Sequence, residues 1–394
     1  VKGIRALAAG AALTAGVLGV AACGSSASSS SGSSATTAAP VSLATSLSTS
    51  ADSWAVVPMS ADPAFWEVFA RAGNSGTWKL VTPPGVADNG GLVASAGGTS
   101  SLTVAVRPTQ DLVFSPLAET ANGGASWSTG GPIDAAVAAS PNALAAFEGK
   151  LVALLSDGAV ETSSDAGATW STIAKPGTIA ASPAGRGCGA VRVTSVSFGL
   201  LTIGAVTTEV LAGGTCGTGG TTALFSYSPG KGWQRERLPA SGQLVRLSGG
   251  MALVQGKSGL SALWRGYGWY AYAPLSAAST PQPAPTDWLS SAPLPVSGAI
   301  SASGTLAMGG AWVLLPGGRA ATVSLPSASG STPQWLLLPP VPARTSVLAS
   351  GPEGATDALA VSGDTLTVWR LAPKATVWSK VQTVSVPVQA GSSS

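Results

Sequence analysis

The sequence predicts an all-β fold: a β-propeller of four-stranded blades, seven preferred, with six or eight compatible with the same pattern. Three observations lead there. Tryptophans that follow a glycine-containing turn and open a strand recur from Trp78 to Trp378 at a mean spacing of about 50 residues, which suits a four-stranded blade with loop insertions. Glycine and proline number 51 and 28, as expected where many short strands are joined by tight turns. No helical periodicity of useful length appears after residue 49. A β-sandwich of short strands is the competing architecture, because most copies of the repeat are degenerate.

At the N-terminus, Lys2 and Arg5 precede an uncharged run from Ala6 to Ala22. That is the positive, then apolar, order of an export signal. The run is short for a permanent span, which needs about 20 apolar residues, and Gly10, Gly16 and Gly19 weaken it further. It ends at Val20-Ala21-Ala22-Cys23, with Gly24 and Ser25 next. This tetrapeptide resembles the lipobox of bacterial lipoproteins. The resemblance implies that residues 1–22 are removed and that Cys23 carries the lipid. Several acyl chains on one cysteine make a stable anchor on the extracytoplasmic face of the cell membrane. An ordinary secretory signal with an incidental cysteine is the alternative. Residues 23–49, rich in Ser, Ala and Gly, read as a flexible tether. Residues 50–388 read as the propeller, and 389–394 as a disordered tail.

Composition narrows the chemistry. Charged residues make up 9% of the chain, and loss of Lys2 and Arg5 leaves the remainder close to neutral, which argues against nucleic acid as a partner. The sequence contains no histidine. Ser-His-Asp and Cys-His catalysis, His-ligated zinc and an imidazole base are therefore excluded, and no metal or cofactor is expected. With Cys23 committed to lipid, Cys188 and Cys216 remain as an even pair in an oxidising compartment, and a disulfide is expected.

The repeats are clearest at Ser163-Ser164-Asp165-Ala166-Gly167-Ala168-Thr169-Trp170 and Thr120-Ala121-Asn122-Gly123-Gly124-Ala125-Ser126-Trp127. Each follows a strand-like stretch. Asp165 or Asn122 is suited to bond backbone amides ahead of it, Gly167 or Gly124 to supply a left-handed backbone angle, and Trp170 or Trp127 to staple the turn to the next strand. Weaker copies pair a turn with Trp78, Trp233, Trp269, Trp335 and Trp378. The shared pattern resembles the Asp-box of the sialidase-type (BNR) repeat family, with Asn122 a mild departure. The resemblance implies a propeller whose repeat turns are structural and whose binding surface lies at the mouth of the central channel.

The family's catalytic apparatus is poorly matched. Sialidases use an arginine triad, a Tyr nucleophile with a Glu partner, an Asp acid/base and a Phe/Tyr-Arg-Ile-Pro segment. Val106-Arg107-Pro108 is the nearest local match and lacks the aromatic and the Ile. The nucleophile would have to come from Tyr227, Tyr267, Tyr270 or Tyr272. No catalytic residue is therefore assigned, and many relatives with these repeats are non-catalytic. The candidate binding surface is Trp264, Arg265, Tyr267, Trp269 and Tyr270, where aromatics and one arginine concentrate in a hairpin suited to stacking on sugars or anchoring a protein; blade packing is the plainer reading. Arg235 and Arg237 fall on one strand face, as a charged solvated edge would have them. The Pro-rich run 279–285 reads as an inter-blade loop. The sequence is thus read as a membrane-anchored propeller that binds a protein or glycan without catalysis, with a sialidase-like glycosidase using carboxylates and Tyr as the alternative. A solute-binding lipoprotein would need alternating helices and strands, which are not found.

Overall fold

The computed structural model describes residues 45–386 except 49–51, 60–65, 74–75, 84–88, 98–99, 109–116, 130–140, 148, 200–208, 266–287, 297–298 and 326–331. The residues read as signal (1–22), Cys23, most of those read as tether and those read as tail (389–394) lie outside the described residues. Among the described residues twenty-eight strands form seven antiparallel four-stranded sheets, each in sequence order. Blade 1 is β1 Thr45–Ser48, β2 Asp52–Pro58, β3 Trp66–Ala72 and β4 Lys79–Leu80, and blade 2 is β5 Asn89–Gly97, β6 Ser101–Pro108, β7 Leu117–Thr120 and β8 Ser128–Thr129. Blade 3 is β9 Pro141–Phe147, β10 Lys150–Leu155, β11 Val160–Ser163 and β12 Ser171–Ala174, and blade 4 is β13 Val191–Gly199, β14 Glu209–Cys216, β15 Thr221–Ser228 and β16 Gly232–Arg235. Blade 5 is β17 Gln243–Ser248, β18 Met251–Gly256, β19 Gly259–Arg265 and β20 Trp288–Ser290. Blade 6 is β21 Ala302–Thr305, β22 Ala311–Leu315, β23 Arg319–Val323 and β24 Trp335–Leu337, and blade 7 is β25 Thr345–Ser350, β26 Thr356–Ser362, β27 Thr365–Leu371 and β28 Ser379–Ser385. The first strands of successive blades lie against one another, and β25 meets β1 to close the ring. The chain is a seven-bladed β-propeller.

Burial explains why simple alternation is weak in the sequence. A second strand has a neighbouring blade on both faces, so Ala311-Trp312-Val313-Leu314-Leu315 is buried throughout. Outer strands face solvent instead: Lys79 and Leu80 of β4 are exposed, as is most of β28. The apolar clusters accordingly sit between blades. One joins β2 and β3 to β6, another joins β10 to β14 and β15, and a large one spans blades 6, 7 and 1.

The start of the propeller differs from the compositional boundary at residue 50. Thr45–Ser48, read as tether, is the innermost strand of blade 1. Two of its three polar side chains bond within the ring: Thr45 Oγ1 donates to Ser303 O at 3.0 Å and Ser46 Oγ to Thr305 O at 3.0 Å, both on β21, while Ser48 Oγ is buried without a partner. Acceptors on β21 thus offset most of the hydrogen bonding that burial of this Ser/Thr-rich segment removes.

A short helix, α1 Thr178–Ala181, fills the connection between blades 3 and 4, with Ile179 in their shared core. Cys188, at the end of that connection, is disulfide-bonded to Cys216 on β14. The expected pairing is present.

Seven tryptophans mark the seven fourth strands: Trp78, Trp127, Trp170 and Trp378 immediately precede one, and Trp233, Trp288 and Trp335 stand at its first positions. For blade 5 the sequence pointed to Trp269, which lies outside the described residues; Trp288 opens β20. Their bonding also differs from a staple to the next strand. Trp127 Nε1 donates to Val81 O at 2.7 Å, Trp233 to Ile173 O at 3.3 Å and Trp288 to Glu236 Oε2 at 3.1 Å. Trp335 donates to Ser291 Oγ at 3.2 Å, Trp378 to Pro339 O at 3.3 Å and Trp78 to Asp357 Oδ2 at 2.9 Å. In all six the acceptor belongs to the preceding blade or the chain just after it, with blade 7 preceding blade 1 around the ring. Trp170 alone bonds within its own turn, to Gly167 O at 3.1 Å.

Among the described residues no strand is exchanged between the first and last blades, and side chains bridge the seam. Trp78 N donates to Gln382 Oε1 and Gln382 Nε2 donates to Trp78 O, both at 2.7 Å. Asp357, fully buried on β26, accepts from the Trp78 indole and from Arg370 Nε and Nη2 at 2.7 and 2.9 Å. Arg370 Nη2 also reaches Gly76 O at 3.1 Å, and Arg71 Nε and Nη2 donate to Ser350 O at 3.2 and 2.9 Å. Burial lowers the Arg71 pKa while Asp357 and Asp52 raise it, and the Asp357 hydrogen bonds raise that of Arg370.

Candidate functional site

The turns joining first to second strands and third to fourth strands share one face of the ring. On blades 6, 7 and 1 they enclose a groove of about 980 Å³. Its walls are the turn Leu306–Gly310, the turn 350–356, the turn 371–376 and the stretch Leu336–Pro339. Asp52, Ser53, Arg71 and Gly73 close it on the blade 1 side. Ser350 ties the three blades beneath it, since its Oγ accepts from Ala307 N at 2.7 Å and its carbonyl takes Arg71.

Two charged residues of the groove hold left-handed backbone conformations without being glycine: Glu353 at φ 53° and Lys374 at φ 66°. Such conformations cost on the order of 1–3 kcal/mol each. The groove's charges balance, Asp52 and Glu353 against Arg71 and Lys374. Asp52 is engaged as an acceptor from Gly73 N at 3.1 Å. Among the described residues its apolar lining is aliphatic, with Leu306, Leu336, Leu337, Leu338 and Leu371 and no aromatic ring. Leu336 and Leu337 are each 63% exposed. Among the described residues the exposed large hydrophobics are these two with Leu80, Val377 and Val381, all on blades 6, 7 and 1. Of these, Leu336 and Leu337 line the groove.

The residues predicted from the repeats lie elsewhere, in the third-to-fourth-strand turns of blades 2 and 3. Asp165 Oδ1 accepts from Thr169 N at 2.9 Å and Ser163 Oγ at 2.7 Å, and Oδ2 from Thr169 Oγ1 at 2.6 Å. The Thr169 hydroxyl and amide, with Ser163, bring the exposed Asp165 carboxyl down to about 2. Asn122 Oδ1 accepts likewise from Ser126 N and Thr120 Oγ1, each at 3.0 Å. Gly167 and Gly124 adopt φ 92° and 85°. Close approach is a second reason for glycine there: a Cβ on Gly167 would meet Leu117 Cδ1 at 2.8 Å, and one on Gly124 would meet Val81 Cβ at 2.6 Å, both on the chain of the preceding blade.

Trp264 and Arg265 do not form an exposed surface, each being 2% exposed. Trp264 Nε1 donates to Gly309 O at 2.8 Å across to blade 6. Arg265 bridges blades 4 and 5 through ion pairs to Glu209 and to Glu236, the latter at 3.0 Å. Blade packing accounts for both. Tyr267, Trp269, Tyr270 and the Pro-rich run lie outside the described residues. Tyr227 packs against Trp233 in blade 4 with the rings tilted at 45° and their centroids 5.2 Å apart, and it is not part of the groove lining. Arg235 and Arg237 are exposed while Glu236 between them turns inward.

The groove's components went unnoticed in the sequence. Pro352-Glu353-Gly354 and Pro373-Lys374 are turn signals without a repeat motif. The paired leucines after Trp335 are the one local signal for the exposed patch.

No family model matches the chain, and no curated protein matches it. Solved propellers resemble it. YCF48 from Cyanidioschyzon merolae is 15% identical over 84% of this chain and 94% of its own, with a TM-score of 0.41. The GH74 xyloglucanase from Xanthomonas campestris is 14% identical over 85% of this chain and 54% of its own, TM-score 0.48. The Aleuria aurantia lectin is 12% identical over 89% of this chain and 96% of its own, TM-score 0.40. At these levels no activity or ligand transfers to this chain.

Proposed function

We propose that this protein is a non-catalytic binding propeller, exported and held by a lipid on Cys23 at the extracytoplasmic face of the cell membrane. It takes an extended apolar segment of a protein partner in the groove of blades 6, 7 and 1. The observation that carries this reading is the aliphatic groove itself, with Leu336 and Leu337 each 63% exposed between charged, strained turns. Binding repays the exposure of such side chains at about 25 cal/mol per Å² of apolar surface covered. The β24 strand bearing them is the outer strand of its sheet, and an outer edge offers backbone groups to an added strand. A glycan platform is less well supported, because sugar stacking uses aromatic rings and the described residues of this lining include none. A glycosidase would need a facing carboxylate pair, whereas Asp52 is occupied by Gly73 N. The turns at 120–127 and 163–170 are read as Asp-box repeats, supported by their matched Asp165 and Asn122 bonding.

A photo-crosslinking residue placed at Leu337 in the full lipidated protein, in cells, tests the groove. A discrete crosslinked polypeptide is expected from Leu337, none from Asp364 at the opposite end of blade 7, and none from Leu337 once Leu336 is changed to Asp. Equal crosslinking from both positions refutes the reading. For the anchor, Cys23→Ala is expected to release the protein from the membrane fraction; unchanged lipid labelling of that variant refutes it.

A further inference from the structure

From residue 171 to residue 265 the sequence holds nine lysines and arginines against two acidic residues, Glu209 and Glu236. Both glutamates are committed to a single cation, Arg265. Arg246 is bonded inside the ring to Ser303 O, and Lys231 lies in the turn between β15 and β16. The remaining six, Lys175, Arg186, Arg192, Arg235, Arg237 and Lys257, are exposed, and none forms an ion pair among the described residues.

Topology gathers these six on the face opposite the groove, the one formed by the turns joining second to third strands and by the connections between blades. Lys175 and Arg186 belong to the connection from blade 3 to blade 4, and Arg192 stands near the start of β13. Arg235 and Arg237 lead from β16 into the connection to blade 5, and Lys257 occupies the β18–β19 turn. The pieces touch one another. Arg235 Nη1 donates to Arg186 O at 3.5 Å, and the disulfide ties that connection to β14. Thr222 N donates to Gly242 O at 3.1 Å, and a Cβ on Gly256 would meet Ser241 O at 2.7 Å. A single exposed cation is ordinarily just solvated, but six in one sector of a chain whose whole net charge is +3 create a field that the protein does not cancel.

The path of the chain supplies a second observation. First strands start from this face, and β1 does so at Thr45, which pairs with Val56 towards the far end of β2. A lipid on Cys23 is joined to the ring through Thr45, so the bilayer is tethered to the face that carries the cations.

We propose that this basic sector of blades 3 to 5 contacts anionic lipid headgroups and holds the ring with its groove turned away from the bilayer, an orientation that presupposes the lipid on Cys23 proposed above. Lys and Arg donate charge-assisted hydrogen bonds to lipid phosphates, and each cation near an anionic surface raises partition onto it about fivefold. An acyl anchor supplies attachment without orientation; a basic surface beside it supplies the orientation.

The test places the full lipidated protein on vesicles of phosphatidylcholine alone or mixed with phosphatidylglycerol, each carrying a headgroup quencher. A fluorophore is introduced as an unnatural amino acid at Ser241, on the basic face, or at Thr376, on the groove face. On the mixed vesicles Ser241 is expected to be quenched more than Thr376, and on phosphatidylcholine alone the two are expected to match. Salt should erase the difference, because the screening length falls from about 10 Å at 0.1 M to about 3 Å at 1 M. Lys175→Glu, Arg192→Glu and Lys257→Glu together should also erase it while the protein stays on the vesicles. Equal quenching of the two positions on mixed vesicles, or a difference that survives in the triple variant, overturns the proposal. Preferential binding of a soluble acidic polymer such as heparin over the mixed vesicles also overturns it. Loss of the protein from phosphatidylcholine vesicles counts against the anchor alone. Sedimentation with mixed vesicles then decides: the triple variant should bind about a hundredfold more weakly, and equal binding overturns the proposal. If the triple variant fails to fold, the headgroup and salt comparisons on the wild type decide.

Discussion

Removing the Asp357 carboxylate should open the propeller at one defined place. Asp357 is 0% exposed and accepts three hydrogen bonds, two from Arg370 and one from the Trp78 indole. In Asp357→Ala the Arg370 guanidinium, 18% exposed in the pair, keeps Gly76 O but loses its counter-ion. Breaking a buried pair by deleting one member costs about 3–5 kcal/mol, and an indole N–H left unpaired in a packed seam costs about 1–3 kcal/mol more where it finds no water. These contributions share one site and do not add in full, so a loss of about 4 kcal/mol is expected from a stability that for domains is typically about 5–15 kcal/mol. Asp357→Asn, which keeps shape and loses charge, should fall between wild type and alanine. Urea denaturation measures the loss, and hydrogen exchange by mass spectrometry locates it. Because the first and last blades meet without exchanging a strand, β2, β3, β26 and β27 should lose protection while blades 3 and 4 keep theirs. A loss below about 1 kcal/mol, too small for a broken buried pair, or a uniform loss of protection around the ring, refutes the seam as the weak point of closure.

Other perturbations separate turn chemistry from packing. The Asp165 carboxyl is held at about 2 against an ordinary 3.8, so its contribution is full above 3.8 and is lost as pH falls towards 2; NMR titration should place its midpoint near 2, and the acid limb of stability should flatten in Asp165→Asn. Trp78 is 1% exposed and Trp170 is partly exposed, so in thermal melts Trp78→Ala should be the more damaging, at about 3–5 kcal/mol for a fully packed ring. Replacing Cys188 and Cys216, which close a separation of 28 residues, with alanine should cost about 3–4 kcal/mol by the chain-entropy model; denaturation of the double variant checks it.

What the sequence disclosed, and what it did not, follows from the distance between partners. The Asp165 turn was legible because everything it bonds lies between Ser163 and Thr169. Blade number was legible for the related reason that a tryptophan at a fixed place in each blade repeats along the chain. The one displaced assignment, Trp269 for Trp288, fell where a long insertion separates β19 from β20 and the turn pattern had no fixed length to guide it. Composition misplaced β1, since Ser and Thr suit a tether until the acceptors on β21 are known, and those are 258 and 259 residues away. Trp264 and Arg265 looked like a surface because aromatic density alone does not say whether another blade covers it.

The candidate site lies at the far end of this scale. Trp78 meets Asp357 across 279 residues and Gln382 across 304, and the groove exists only where that closure brings blade 1 to blades 6 and 7. No local pattern could specify it. The same dependence makes closure a precondition for the groove. Arg71, whose guanidinium crosses the seam to Ser350 O, lines the groove, and Ser350 in turn holds the Leu306–Gly310 turn through Ala307 N. A variant that loosens the seam should therefore weaken binding in the groove before it unfolds the ring, whereas an equal loss of stability placed in blade 3 should leave binding unchanged until the whole domain melts.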